Sequence, residues 1–128
     1  MIDVSCAIIL NQNKVLVAQR NRNGKLPLKW EFPGGKVEKY ETIKESLIRE
    51  IKEELNIEIE IIESLSPVEH HYPDFSIRLH PFLCNFKSGN LIVKEHEEIQ
   101  WVEKSDLLNF DWAEADLPIV NEFLKFKI

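Results

Sequence analysis

The sequence predicts a mixed α+β or α/β/α domain, with strands before, between and after two helices. Two observations carry that expectation. Extended runs of apolar residues are interleaved with only two stretches of helical period. The chain of 128 residues, 44% hydrophobic and 30% charged, is also long enough for one domain with a real core and too short for two ordinary ones. Residues 1–128 are therefore expected to form a single domain. Composition leaves open which strands pair and in what order.

The elements follow in sequence. Residues 3–20, DVSCAIILNQNKVLVAQR, hold two extended runs joined at Asn11–Lys14, where Asn11 and Asn13 supply turn chemistry for a hairpin. Residues 21–36, NRNGKLPLKWEFPGGK, read as a loop rich in Gly, Pro, Asn and basic side chains. A helix then starts at Thr42, whose side chain can cap it while Glu45 closes a capping box. Ile43, Leu47, Ile48, Ile51 and Leu55 recur at helical spacing as its buried face, and Asn56 ends it in a left-handed conformation. Strands are expected over 58–69 and 75–86, separated by HHYPD, and over Ile99–Val102. A second helix runs from about Ala115 to Lys125, with Pro118 tolerated in its first turn.

Bulk properties exclude several roles. No apolar run approaches the roughly 20 residues that span a bilayer, and the first ten residues carry no basic n-region or cleavage site of a secretory signal. A net charge of -6 argues against long nucleic acid, whose binding needs many phosphate-neutralising contacts. One nucleotide held through a metal ion remains compatible with it. Cys6 and Cys84 lie in strand-like segments without metal-binding spacing; they read as buried free thiols of a reducing, cytoplasmic setting in which a disulfide is unneeded.

The densest chemistry lies in the first helix, where residues 41–56 hold five glutamates. Glu41, Glu45 and Arg49 are explained as a solvated, paired face. Glu50, Glu53 and Glu54 are not: they cluster near the helix C-terminus, where the macrodipole disfavours anions, with only Lys52 among them. Carboxylates without a Cys or His cluster select a hard cation, Mg²⁺ or Mn²⁺. Such an ion retains waters and binds substrate phosphates, so it can orient a diphosphate and activate a water for attack on phosphorus. In the FPGGK turn ahead of the helix, glycines permit close backbone approach to ligand or metal, and Lys36 can contact a phosphate.

Residues 35–57, GKVEKYETIKESLIREIKEELNI, resemble the Nudix box at Gly35, Glu41, Arg49, Glu50, Ile51, Glu53, Glu54 and Ile57. Asn56 stands where glycine is usual and, tolerating the same backbone, is expected to alter stability slightly. Tyr40 replaces a common glycine at the entrance. KWEFPGGK, WVEKSDL and DWAEADLPIV extend the resemblance to the MutT-like branch. That resemblance implies an α+β fold, an α/β/α sandwich with a mixed β-sheet between helices, and a Mg²⁺-dependent pyrophosphohydrolase that converts nucleoside triphosphates, oxidised guanine or cytosine types among them, to monophosphate and pyrophosphate. It assigns metal contacts to the Gly34 carbonyl, Glu50, Glu53 and Glu54, with Arg49 and Glu41 as braces. A further metal-linked and catalytic glutamate matches Glu95, with Glu97 and Glu98 as rivals; a box glutamate or this loop glutamate serves as the base.

For substrate contacts the resemblance offers Arg20 for phosphate, Tyr72 for base stacking and Asp116 for the base edge. The plain structural alternatives are a solvated strand end for Arg20, a rim aromatic for Tyr72 and a helix N-cap for Asp116. Trp30 reads as core or loop anchor and Trp101 as core. His70, His71, His80 and His96 form no metal-ligand group and receive no catalytic part. A monomer or homodimer acting on a nucleoside triphosphate, without membrane or long nucleic acid, is the expected working form. An ADP-ribose or dinucleotide pyrophosphatase and a non-catalytic Nudix module are the alternatives.

Overall fold

In the computed structural model, which describes residues 1–127, β1 (Ile2–Asn11) and β2 (Lys14–Gln19) form the expected hairpin. Gln12 and Asn13 both take positive φ, 51° and 65°, the two-residue turn whose twist suits antiparallel strands. Only Leu10↔Val15 and Asn11↔Lys14 pair before the strands part. The segment expected to be pure loop fills the space between them. It contributes β3 (Trp30–Glu31), which pairs with the end of β2, and β4 (Gly34–Lys36), which pairs with the start of β1. A stretch of about seven residues is thereby wedged into a splayed hairpin.

The remaining strands are β5 (Ile57–Ser64), β6 (Val68–His71), β7 (Ser76–Gly89) and β8 (Glu98–Glu103). The single strand expected over 58–69 is two, interrupted at 65–67, where Pro67 cannot donate to a ladder. His70 and His71 belong to β6, so the turn is shorter than HHYPD. β7 runs parallel to β1 from Ile2↔Ile77 to Leu10↔Asn85, and its other edge carries β5 and β6, both antiparallel. β8 pairs with β2 along its whole length. The mixed sheet is thus confirmed, together with the pairing that composition left open.

Both sheet faces are covered. Cys6 and Ile8 of β1 with Val15 and Val17 of β2 face one cluster, joined by Ile119, Val120 and Phe123. Ala7, Ile9 and Leu16 face the other, with Leu47, Ile51 and Leu55. Strands buried on both faces read as continuous apolar runs, as residues 6–9 and 15–18 do. Cys6 and Cys84 lie in opposite clusters, both as free thiols.

Helix α1 (Ile43–Leu55) begins with the capping box: Thr42 accepts from Glu45 N while the Glu45 carboxylate accepts from Thr42 N. Asn56 ends it at φ 60°. Its buried face differs in one position from the expectation. Ile48 is exposed, whereas Ser46 is buried, its hydroxyl 2.9 Å from that of Ser5 and donating to Ile43 O. Ser46, not Ile48, lies on the stripe with Leu47 and Ile51 that meets β1. The second helix is shorter than expected: a 3₁₀ turn at Glu114–Asp116 leads into α2 (Leu117–Leu124), with Pro118 in the first turn. Trp30 is core, while Trp101 is half-buried at the rim of a cluster, edge-on to Phe86. No helix among the described residues is long and apolar enough to cross a membrane.

Candidate active site

The wedge between β1 and β2 and the C-terminal half of α1 converge on a cavity of about 400 Å³. Arg20, Gly34, Lys36, Glu54, Tyr72, Glu95 and Asp116 all line it. Residues predicted from positions nearly a hundred apart are thereby brought together. Glu50 and Glu53 do not line the cavity; both are held by Arg49.

The Arg49 guanidinium binds Glu41 through both oxygens, at 2.6 and 2.9 Å. Its NH1 also donates to Glu50 at 2.8 Å and to Glu53 at 3.2 Å, and its NH2 to the Lys36 carbonyl. Such bidentate, charge-assisted bonds are strong for their kind. They hold the Glu41 acid down at about 2 and push the Arg49 acid far up. Arg49 therefore offsets part of the carboxylate repulsion from within the chain. Lys52 points away, to Glu58. Among the described residues no three acidic, His or Cys groups already converge as a metal cage.

Glu54 is different. Its Oε2 is buried with no hydrogen-bond partner. Burial first, and then the Glu50, Glu31 and Glu95 carboxylates, push its acid well above the usual carboxylate range. A buried anionic oxygen among anions is costly unless a cation meets it, so this all-oxygen donor set fits a hard divalent ion. Glu95 lines the same cavity, whereas its rivals are engaged elsewhere. Glu97 binds Arg22 at 2.9 Å and Glu98 accepts from Gln100 at 2.9 Å.

The glycine pair places α1 against the sheet. A Cβ on Gly35 would meet the Glu50 side chain, and one on Gly34 would meet the Ser5 and Cys6 backbone. Both positions need the absent side chain.

At the far end of the cavity Asp116 holds the N-cap position of α2, but its side chain makes no capping bond. Its Oδ2 instead accepts from Phe32 N at 2.9 Å, with the residue only 5% exposed. Burial, followed by the Glu31 charge, pushes its acid well up. The Tyr72 hydroxyl accepts from Ala115 N, and its ring stacks on Phe75, centroids 5.0 Å apart. Lys25 from the 21–28 segment lies 4.2 Å above the Phe75 ring. Arg20 donates through Nε to Lys25 O and through NH1 to Glu31 at 2.7 Å.

Sequence reasoning missed Glu31, Phe75 and His96, all of which line the cavity. His96 binds Glu31 through Nε2. One signal was available for Glu31: a charge between Trp30 and Phe32 in an otherwise apolar strand. For His96 only its position next to Glu95 distinguished it from the other histidines.

Comparison with known proteins matches this architecture. A family model described as the NUDIX domain covers residues 1–123. A CTP pyrophosphohydrolase of Escherichia coli is 34% identical over 127 residues, 99% of this chain and 94% of that protein. An 8-oxo-dGTP diphosphatase of the same organism is 28% identical, over 93% of each chain. The solution structure of a MutT protein of the Nudix hydrolase family from methicillin-resistant Staphylococcus aureus superposes with a TM-score of 0.78. It is 42% identical, over 96% of this chain and 95% of that one. With box, fold and full-length relatives in agreement, the chain belongs to the Nudix family.

Proposed function

We propose that the protein hydrolyses nucleoside triphosphates to the monophosphate and pyrophosphate. The reading rests on one observation above others: a single cavity has uncompensated carboxylates, Glu54 and Glu95, at one end and a buried acid beside an aromatic stack, Asp116 with Tyr72 and Phe75, at the other. A triphosphate needs cations at its phosphates and a stacked, edge-reading pocket at its base. The relatives act on CTP and 8-oxo-dGTP by name, which supports the same class here.

Glu50, Glu53, Glu54, Glu95 and the Gly34 carbonyl are the groups that would hold Mg²⁺ or Mn²⁺. When bound, the cation offsets phosphate charge and polarises the β-phosphorus. Water attacks that phosphorus, its proton passes to a carboxylate of this cluster, and the bond to the nucleoside monophosphate oxygen breaks. Arg49 and Glu41 brace Glu50, and Lys36 faces the phosphates. Asp116 accepts from Phe32 N–H on Oδ2, and in the ionised form its other oxygen reads a base donor, which suits the amines of guanine and cytosine rings. Clearing modified nucleotides from the cytoplasmic pool is the corresponding cellular role.

The test is pyrophosphate release with Mg²⁺ across 8-oxo-dGTP, dGTP, CTP, dCTP, 5-substituted dCTPs and ADP-ribose, with Glu54→Gln alongside. A preference for one triphosphate, abolished in the variant and by chelation, is expected. Cleavage of ADP-ribose alone, or no turnover of any compound, would overturn the reading.

A further inference from the structure

Between the two ends of the cavity lies an arrangement that this reaction scheme leaves unused. Glu31 accepts from Arg20 NH1 at 2.7 Å on Oε1 and from His96 Nε2 at 3.0 Å on Oε2. A carboxylate only accepts, so Nε2 carries the hydrogen, and donors on both oxygens fix the plane of the group. The three residues come from the end of β2, from β3 and from the segment before β8, so only the assembled sheet joins them. All three line the cavity.

His96 is held there at a cost. Its side chain is 7% exposed, and Nδ1 is buried without a partner. A side chain serving only to fill space would bring no unpaired nitrogen. What the imidazole adds over an apolar residue is the bond from Nε2 to Glu31. Glu31 in turn lines the cavity with Glu54 and Asp116, and it directly precedes Phe32, whose N–H binds Asp116. Each Glu31 oxygen has a second lone pair beyond the bond it receives from the protein.

We propose that His96 is a positioning residue: by holding Oε2 it orients Glu31 to accept a hydrogen bond from an N–H or O–H of the nucleoside part of the substrate. The inference rests on the function proposed above. It places Glu31 on the nucleoside rather than the phosphates, so the loss falls on binding and not on the chemical step.

The test uses His96→Gln, His96→Asn, Glu31→Gln and the His96→Asn/Glu31→Gln pair, each checked for native-like thermal melting. The Gln amide nitrogen reaches the place of Nε2, whereas Asn is too short to do so. His96→Asn is expected to raise KM for the preferred triphosphate about tenfold with kcat within about twofold. His96→Gln should restore KM, and His96→Asn should add less than about twofold once Glu31 is already Gln. Equal impairment by Gln and Asn, a loss in kcat, or multiplying effects in the pair would overturn it. So would an unchanged KM in Glu31→Gln, whether or not His96→Asn folds. A native protein without turnover would refute the proposed function instead. The Kd of an α,β-methylene triphosphate analogue, measured on the same variants, then decides the positioning role separately.

Discussion

Replacing Gly35 by alanine should separate activity from stability in a way that replacing Gly34 cannot. A Cβ on Gly35 would lie 2.7 Å from Glu50 Cγ, with the carboxyl group nearer still. Ordinary contact begins at 3.4 Å, so the Glu50 side chain must withdraw by roughly 1 Å or more. It can do so by rotating, because the obstacle is the end of a flexible side chain; the cost in stability is that of modest overpacking, about 1–2 kcal/mol. The carboxylate, however, leaves the place where Arg49 holds it. A displacement of about 1 Å at a reacting site costs on the order of 10²-fold in rate. Gly34→Ala meets backbone instead: its Cβ would lie 2.7 Å from Cys6 Cα and Ser5 C. Neither can retreat without opening the β1–β4 ladder, so about 3 kcal/mol or more of stability should go. Urea titrations of both variants, with pyrophosphate release at a saturating triphosphate, measure the two quantities. Full activity in Gly35→Ala, or equal destabilisation of the two variants, would refute the reasoning.

Glu54→Gln should lose turnover yet melt at a higher temperature than the native protein in metal-free buffer near neutral pH, because the native acid is pushed up to about 8 and on folding must either take up a proton or stay ionised without a partner; a lower melting temperature would contradict that account. Thr42→Ala removes the acceptor for Glu45 N and should cost about 1 kcal/mol in urea unfolding, with activity retained. Acid unfolding should report the Glu41–Arg49 pair. The folded Glu41 acid is depressed to about 2 from an ordinary 4.5, so its contribution is full above that ordinary value and is lost as pH falls toward 2. Glu41→Gln should flatten stability against pH across that window and nowhere above it, as melting curves at stepped pH would show.

Much of the site was legible because its parts are local. Thr42, Glu45, Arg49 and the three glutamates declare themselves by helical spacing, and Asn56 by its tolerance of a left-handed backbone. Spacing did not separate Glu95 from Glu97 and Glu98; in the fold only Glu95 lines the cavity, while Arg22 and Gln100 engage the other two. The Arg20–Glu31–His96 contact was illegible for a different reason: Glu31 and His96 lie 65 residues apart, and no periodicity links them. Ile48 misled because helical spacing gives a stripe without its centre, and the partner strand sets the centre. The division of residues 58–69 into β5 and β6 was marked by Pro67, a breaker that the apolar run around it outweighed.

The long strand β7 also bears on how the protein is made. β1 leaves the ribosome well before its parallel partner, which begins about 75 residues later, as Ile2↔Ile77 shows. The β1–β2 hairpin offers only two paired positions in the meantime. The edge of β1 that meets β7 must therefore stay bare while the residues between them are made, and such non-local pairing is slow and prone to misassociation. β5 and β6 wait for the same strand. Any chain stopped short of β7 would leave β5 and β6 without a partner strand and β1 with one bare edge, so the lifetime of the nascent chain depends on how soon this one strand emerges.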